Sequence, residues 1–148
     1  MSNPHAVALR ALSLAMGLFL LFMGLDKIDW FLDGSILTQQ LQQWRGMARP
    51  FAQWYIDTLC LPGAPVFARV VPTAELAAGT ALILGVRVRL AAALAMLMVI
   101  NVHVAADLIF RYEYLWNGYG PPVLGGLLAL AIGGTRLPFS VSRLMGHR

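Results

Sequence analysis

Four long apolar runs, separated by polar or proline-bearing stretches, set the pattern of this chain. They cover residues 6–25, 66–86, 89–110 and 121–137. Each approaches the ~20 residues that an α-helix needs to cross a bilayer core, so four membrane-spanning helices are predicted. The fourth run is the shortest. It is bounded by Pro121-Pro122 and Arg136, both good helix terminators. The first run, "AVALRALSLAMGLFLLFMGL", lacks a small-x-small cleavage site before "DKIDW" and reads as a retained helix rather than a removed leader.

The segment 28–65 has a different rhythm. "SILTQQLQQWRGM" places Leu37, Leu41 and Trp44 at i, i+4 and i+7, with glutamines on the other face. "PFAQWYIDTL" opens with a proline suited to a first helical position. Two short amphipathic helices lying on the membrane surface are expected here. "PGAP" (Pro62–Pro65) should then turn the chain back into the bilayer. Small-residue stripes, Ala77/Ala81/Gly85 and Gly125/Ala129/Gly133, suggest close helix packing. The fold class that results is all-α: one domain over residues 1–148, an integral membrane four-helix bundle with an interfacial segment between spans 1 and 2.

Composition supports this class. The 148 residues are 59% hydrophobic and 12% charged, about half the charged share of an ordinary soluble domain at ~25%. The net charge of +4 does not signal nucleic acid, because the basic residues sit at the ends of apolar runs. Their placement instead gives orientation. Arg10, Arg87, Arg89, Arg136, Arg143 and Arg148 fall on one side without any acid. Asp26, Asp29, Asp33, Asp57, Asp107 and Glu113 fall on the other. Both termini are therefore expected in the cytoplasm, with Arg10 snorkelling to that surface and segment 28–65 outside.

The polar residues at depth carry the chemistry. Glu75 interrupts "PTAELAAGTALILGV". It lies about nine residues, or roughly 13 Å, below the outer end of its run. A carboxylate there costs about 2.5–3.5 kcal/mol on insertion scales. Gly79, one turn away, would let a neighbouring helix approach. In "INVHVAADLIFR", His103, Asp107 and Arg111 are spaced by four and form one stripe, with Asn101 nearly opposite. Glu75 and His103 are thus expected at similar depth, close enough to share a proton directly or through water. Asp107 would orient the imidazole, and Arg111 would hold Asp107 or an anionic substrate. Lys27, Arg111 and Arg45 would draw such a substrate from outside. Trp30, Trp116 and Tyr119 would wall the pocket at headgroup level, although Trp and Tyr gather at membrane interfaces in any case.

Such a pocket suits a quinone, whose reduction takes two electrons and two protons, and would equally suit another amphiphile. The structural alternative makes Glu75 a lock between helices, His103 a core donor and Asp107–Arg111 a surface pair worth about 0.3–0.5 kcal/mol. Other chemistries fall away. The sole cysteine, Cys60, excludes an intramolecular disulfide or CxxC pair and reads as a small apolar filler. With one His in the spans, no metal centre or bis-His haem is expected. No phosphate-loop motif is present. A small transporter is a further alternative, but four helices enclose so narrow a pore that it would need several copies.

Two blocks carry a resemblance: "GLDKI", with Gly24 and Lys27 closing the first helix, and "ELAAGTALILGVRVRLAA", with Glu75, Gly79, Gly85, Arg89 and Leu90. With a polar third helix and a glycine-rich fourth, the chain resembles the DoxX family of four-helix membrane proteins from about Ala8 to Gly134. The resemblance implies a bacterial inner-membrane protein tied to respiratory or thiol redox chemistry. It implies partners as well as lipid: an oxidoreductase or larger membrane complex beside which such proteins act as accessory subunits. His103, Asp107 and Arg111 come from helical spacing alone. The expected function is therefore quinone binding, or support of a quinone-linked oxidoreductase. A non-catalytic subunit of a larger complex is the alternative.

Overall fold

A computed structural model describes residues 4–135 and 137–141. The described residues form helices and turns, with no strand. The helices are α1 (Pro4–Asp26), α2 (Ser35–Met47), α3 (Pro50–Tyr55), α4 (Leu61–Leu84), α5 (Val88–Ala105) and α6 (Pro121–Gly133). Short 3-10 turns at Ile28–Phe31 and Tyr112–Trp116 join them. Three helical stretches among the described residues are long and apolar enough to cross a membrane: Pro4–Asp26, Pro50–Leu84 and Val88–Ala105. The fourth, α6, is apolar but shorter, at 13 residues.

α1 packs along α4, α4 against α5, α5 against α6, and α6 back on α1. A core of Leu20, Leu82, Ala92, Ala95, Leu127 and Leu130 fills this ring. A second core gathers Leu37, Leu41, Ile56, Cys60, Ala64, Ala68 and Ala105. The apolar face of α2 marked by Leu37 and Leu41 is buried against the protein's own Ile56, Cys60, Ala64, Ala68 and Ala105 rather than turned to lipid. α2, the cap, packs on α4 and on the turns at Ile28–Phe31 and Ile56–Cys60.

The chain does not turn at "PGAP". α3 runs through a π turn, Ile56–Cys60, straight into α4, giving one helix of 35 residues. Pro62 has no N–H for the carbonyl one turn earlier. The wider i→i+5 bonding of a π turn lets a helix absorb such a loss without breaking. The second short helix is therefore the first two turns of a long one.

The close-packing positions also differ from the expected stripes. Ala77 and Gly125 face outward, and a methyl added at Gly125 would meet nothing within 4 Å. The tight crossing is Gly17 of α1 on Gly79 of α4. A Cβ on Gly79 would sit 2.7 Å from the Leu21 nitrogen and 2.8 Å from the Gly17 carbonyl oxygen. Only residues without a side chain permit this approach. It places the end of α1 beside Glu75.

The end remote from the cap is closed by arginines. Arg10 donates to the carbonyls of Leu82 (3.0 Å) and Ile83 (2.7 Å), and Ser13 donates to Leu82 at 2.7 Å. Gly85, at φ +72°, ends α4 in the left-handed conformation. Arg89 donates to the Ala131 carbonyl of α6 at 2.9 Å. Cations at these C-terminal carbonyls complement the helix dipoles. Arg136, Arg143 and Arg148, which enter the orientation argument, lie outside the described residues.

Candidate functional site

Between the two cores lies a cavity of about 360 Å³, within the ~300–1,000 Å³ range typical of small-molecule sites. α1 and the turn after it contribute Phe19, Lys27 and Trp30; α2 contributes Gln40 and Trp44; α4 contributes Phe67 and Glu75; α5 contributes Asn101 and His103. Asp26, Cys60 and Tyr119 complete the polar and aromatic lining. Glu75 and His103, buried to 5% and 6% exposure, therefore open on the same space.

They do not bond to each other. Lys27 Nζ donates to both carboxylate oxygens of Glu75, at 3.0 and 2.9 Å, and to the Met23 carbonyl at 2.9 Å. All three ammonium protons are thereby engaged. Lys27 also lies 5.9 Å from the centre of the Trp30 ring, within cation–π reach. The partner is the lysine of "GLDKI", 48 residues upstream. The pair carries no net charge, which is how a carboxylate and an ammonium become tolerable at this depth.

His103 has a different partner from the one its helical spacing suggested. Its Nδ1 is 3.0 Å from the hydroxyl of Tyr114, which is itself buried. Burial pushes the Tyr114 phenol up, so it stays protonated. A phenol donating to Nδ1 leaves the imidazole proton on Nε2, whereas an Nδ1–H donating to the phenol oxygen is the other arrangement the same distance allows. Tyr114 lies in the 3-10 turn after α5, outside any apolar run. Nothing in the local pattern separated it from Tyr112 or Tyr119. Gly120 makes room for its ring: a Cβ there would come within 2.7 Å.

Asp107 is not the orienting carboxylate. Helix α5 ends at Ala105, and Asp107 adopts φ +54°, which swings it off the helical stripe. It is 3% exposed and sits between two arginines. Arg49 donates from Nε (3.0 Å), Nη2 (3.0 Å) and its backbone N–H (3.2 Å), and Arg111 donates from Nη2 at 2.9 Å. Burial pushes the Asp107 carboxyl up, but the hydrogen bonds from Arg49 and Arg111 outweigh it and hold the group below the usual range. Arg111 also reaches the Met47 carbonyl, and Arg49 the Phe110 carbonyl. This cluster ties the α2–α3 corner to the end of α5. Arg45 pairs with Asp57 on the exposed side of the cap.

Of the eight residues singled out from sequence, Glu75, His103, Lys27, Trp30 and Tyr119 line the cavity; Asp107, Arg111 and Trp116 do not. Trp116 is exposed and packs edge-on against Tyr112. Asn101, Cys60, Gln40, Phe67 and Trp44 join the lining without having been assigned to it. Among the described residues, no cluster of His, Cys, Asp or Glu could hold a metal ion.

Long apolar helices around a small, mostly apolar cavity that carries a few polar groups define a multi-pass membrane protein. The chain belongs to the DoxX family, whose model matches residues 8–107. That span holds the Lys27–Glu75 pair, His103 and Asp107, and stops before Tyr114. Comparison with curated proteins and with solved structures finds no match.

Proposed function

We propose that this DoxX protein binds a quinone, or an amphiphile of similar shape, in the capped cavity, and supports membrane redox chemistry there. One observation carries the reading: Glu75 and His103, from different helices, face one space walled by Phe19, Trp30, Trp44, Phe67 and Tyr119. Flat aromatic walls suit a flat ring. The ring's carbonyl oxygens need donors: the His103 imidazole is one, and a Lys27 proton becomes another as it leaves Glu75 or the Met23 carbonyl. On reduction each oxygen gains a proton, and Glu75 and His103, both on the cavity wall, are the groups placed to pass the two protons. The chain offers no electron store of its own, so a substrate meets the quinone directly or a partner oxidoreductase brings the electrons.

In this reading α6 is a fourth span and both termini are cytoplasmic. The cap faces outward from a bacterial inner membrane, as the distribution of arginine and acid favours. Lys27 is bound to Glu75 and meets a ligand as a donor by exchanging one of those bonds.

A second reading is favoured by the Lys27–Glu75 pair itself. A bidentate bond between α1 and α4 is what a structural lock requires, and the protein would then be a non-catalytic subunit of a larger complex. Purification in mild detergent followed by lipid extraction separates the two. Bound quinone in the wild type, lost in His103→Ala and Glu75→Gln with helix content intact, supports the pocket. Absence of quinone, with a large complex surviving both substitutions, supports the scaffold.

A further inference from the structure

The outward face of α5 is a leucine stripe that ends in an asparagine. Leu90, Leu94 and Leu97 are 51%, 58% and 61% exposed. Asn101 follows Leu97 by one turn on the same face and is also exposed. Three exposed leucines in register belong against lipid tails. Asn101 lies four residues, or about 6 Å, inside the capped end of the helix. It is therefore a polar group at the lipid boundary, where an amide is costly unless bonded. Its Nδ2 donates to the hydroxyl of Tyr55, the last residue of α3. Yet Asn101 also lines the cavity, as does Cys60 in the adjoining π turn.

From this juxtaposition we infer that the Tyr55–Asn101 contact closes a lateral portal, through which a membrane-dissolved ring amphiphile enters the cavity from the bilayer. The inference rests on the cavity being a ligand site, as proposed above. One side-chain hydrogen bond bridges α3 and α5 here, and breaking it leaves two polar groups able to hydrogen-bond the carbonyl of an entering quinone-type head. Entry from lipid also accounts for the position of an amide on an otherwise leucine-only stripe. A ligand arriving from water would have no use for a polar group there.

The sole cysteine makes the route measurable. Cys60 is 4% exposed and lines the cavity beside the contact. In proteoliposomes, two thiol reagents are compared: a pyrene maleimide that partitions into the bilayer and a sulfonated maleimide that does not. The expected result is labelling of Cys60 at least tenfold faster by the pyrene reagent. A further rise of severalfold is expected in Asn101→Ala or Tyr55→Phe, with the sulfonated reagent unchanged. Equal rates for the two reagents, or no reaction with either until detergent denatures the protein, overturn the portal. Should a variant fail to fold, the wild-type ratio alone decides. Quinone retention is scored on the same preparations, so a cavity that holds quinone but is labelled from water removes the portal and leaves the ligand site standing.

Discussion

The ammonium of Lys27 holds both oxygens of Glu75, at 3.0 and 2.9 Å, with side-chain exposures of 12% and 7%. Two helices whose contact residues are 48 positions apart in sequence are joined by a neutral, nearly enclosed pair. Removing one member strands the other. Lys27→Met is expected to destabilise the protein by about 3–5 kcal/mol, while Lys27→Met combined with Glu75→Leu recovers most of that loss. Thermal unfolding in detergent, followed by circular dichroism, checks both; a single variant as stable as the double would contradict the pairing.

Tyr114→Phe removes the hydroxyl that meets His103 Nδ1. The expected cost is about 1–2 kcal/mol, since the ring stays and one buried nitrogen loses its partner. The quinone reading adds a second outcome. Freed of its hydrogen bond, the imidazole no longer holds one tautomer, so ligand retention should fall severalfold. Imidazole nitrogen NMR shifts would report the change of tautomer directly.

Gly79→Val is expected to separate α1 from α4. The added atoms meet backbone at 2.7–2.8 Å, which cannot rotate away, so the cost should reach or exceed the ~1–3 kcal/mol of ordinary overpacking. Gly125→Ala supplies the contrast. Nothing lies within 4 Å of the new methyl, and alanine is favoured over glycine inside a helix by ~0.5–1 kcal/mol. Melting temperatures of the two variants should therefore move in opposite directions.

Asp107 gives the cap an acid sensitivity. Its folded carboxyl lies below the ordinary value, net of a burial effect that acts the other way. The resulting stabilisation is complete above the ordinary aspartate range and disappears as pH falls through the lowered folded value. Because Arg49 and Arg111 are 48% and 42% exposed, solvent screening keeps this contribution modest. Trp44 fluorescence, measured against denaturant from pH 7 down to pH 3, should show the cap weakening in the wild type. Asp107→Asn should start weaker and show less of that slope.

Much of the site could be read before any coordinates. Burial of Glu75, the approach of a helix at Gly79 and the shared cavity with His103 all follow from one carboxylate and one imidazole at matching depth in apolar runs. The ionic partners could not be read, because they depend on long-range geometry. Lys27 looked like a surface cation at the end of a helix, and only the Gly17–Gly79 crossing brings it onto Glu75. Asp107 looked like an i+4 neighbour of His103 because periodicity assumes that the helix continues, whereas α5 ends at Ala105. Proline and glycine in "PGAP" carried a strong turn signal, which the π turn overrides. Small-residue spacing of four occurs on several faces of α4 and α6, and the pattern alone does not say which face meets a neighbour.

The unbroken helix from Pro50 to Leu84 spans 35 residues, about 52 Å at 1.5 Å each. A hydrocarbon core of ~30 Å cannot contain it upright. Several turns must stand proud of the membrane or the rod must lean, with Phe51 and Trp54 near its tip. A protein docking on those rings would grip a stiff lever whose other arm carries Glu75. Force applied outside would reach the buried carboxylate through the π turn and then past Pro65 and Pro72, each of which removes one helical hydrogen bond.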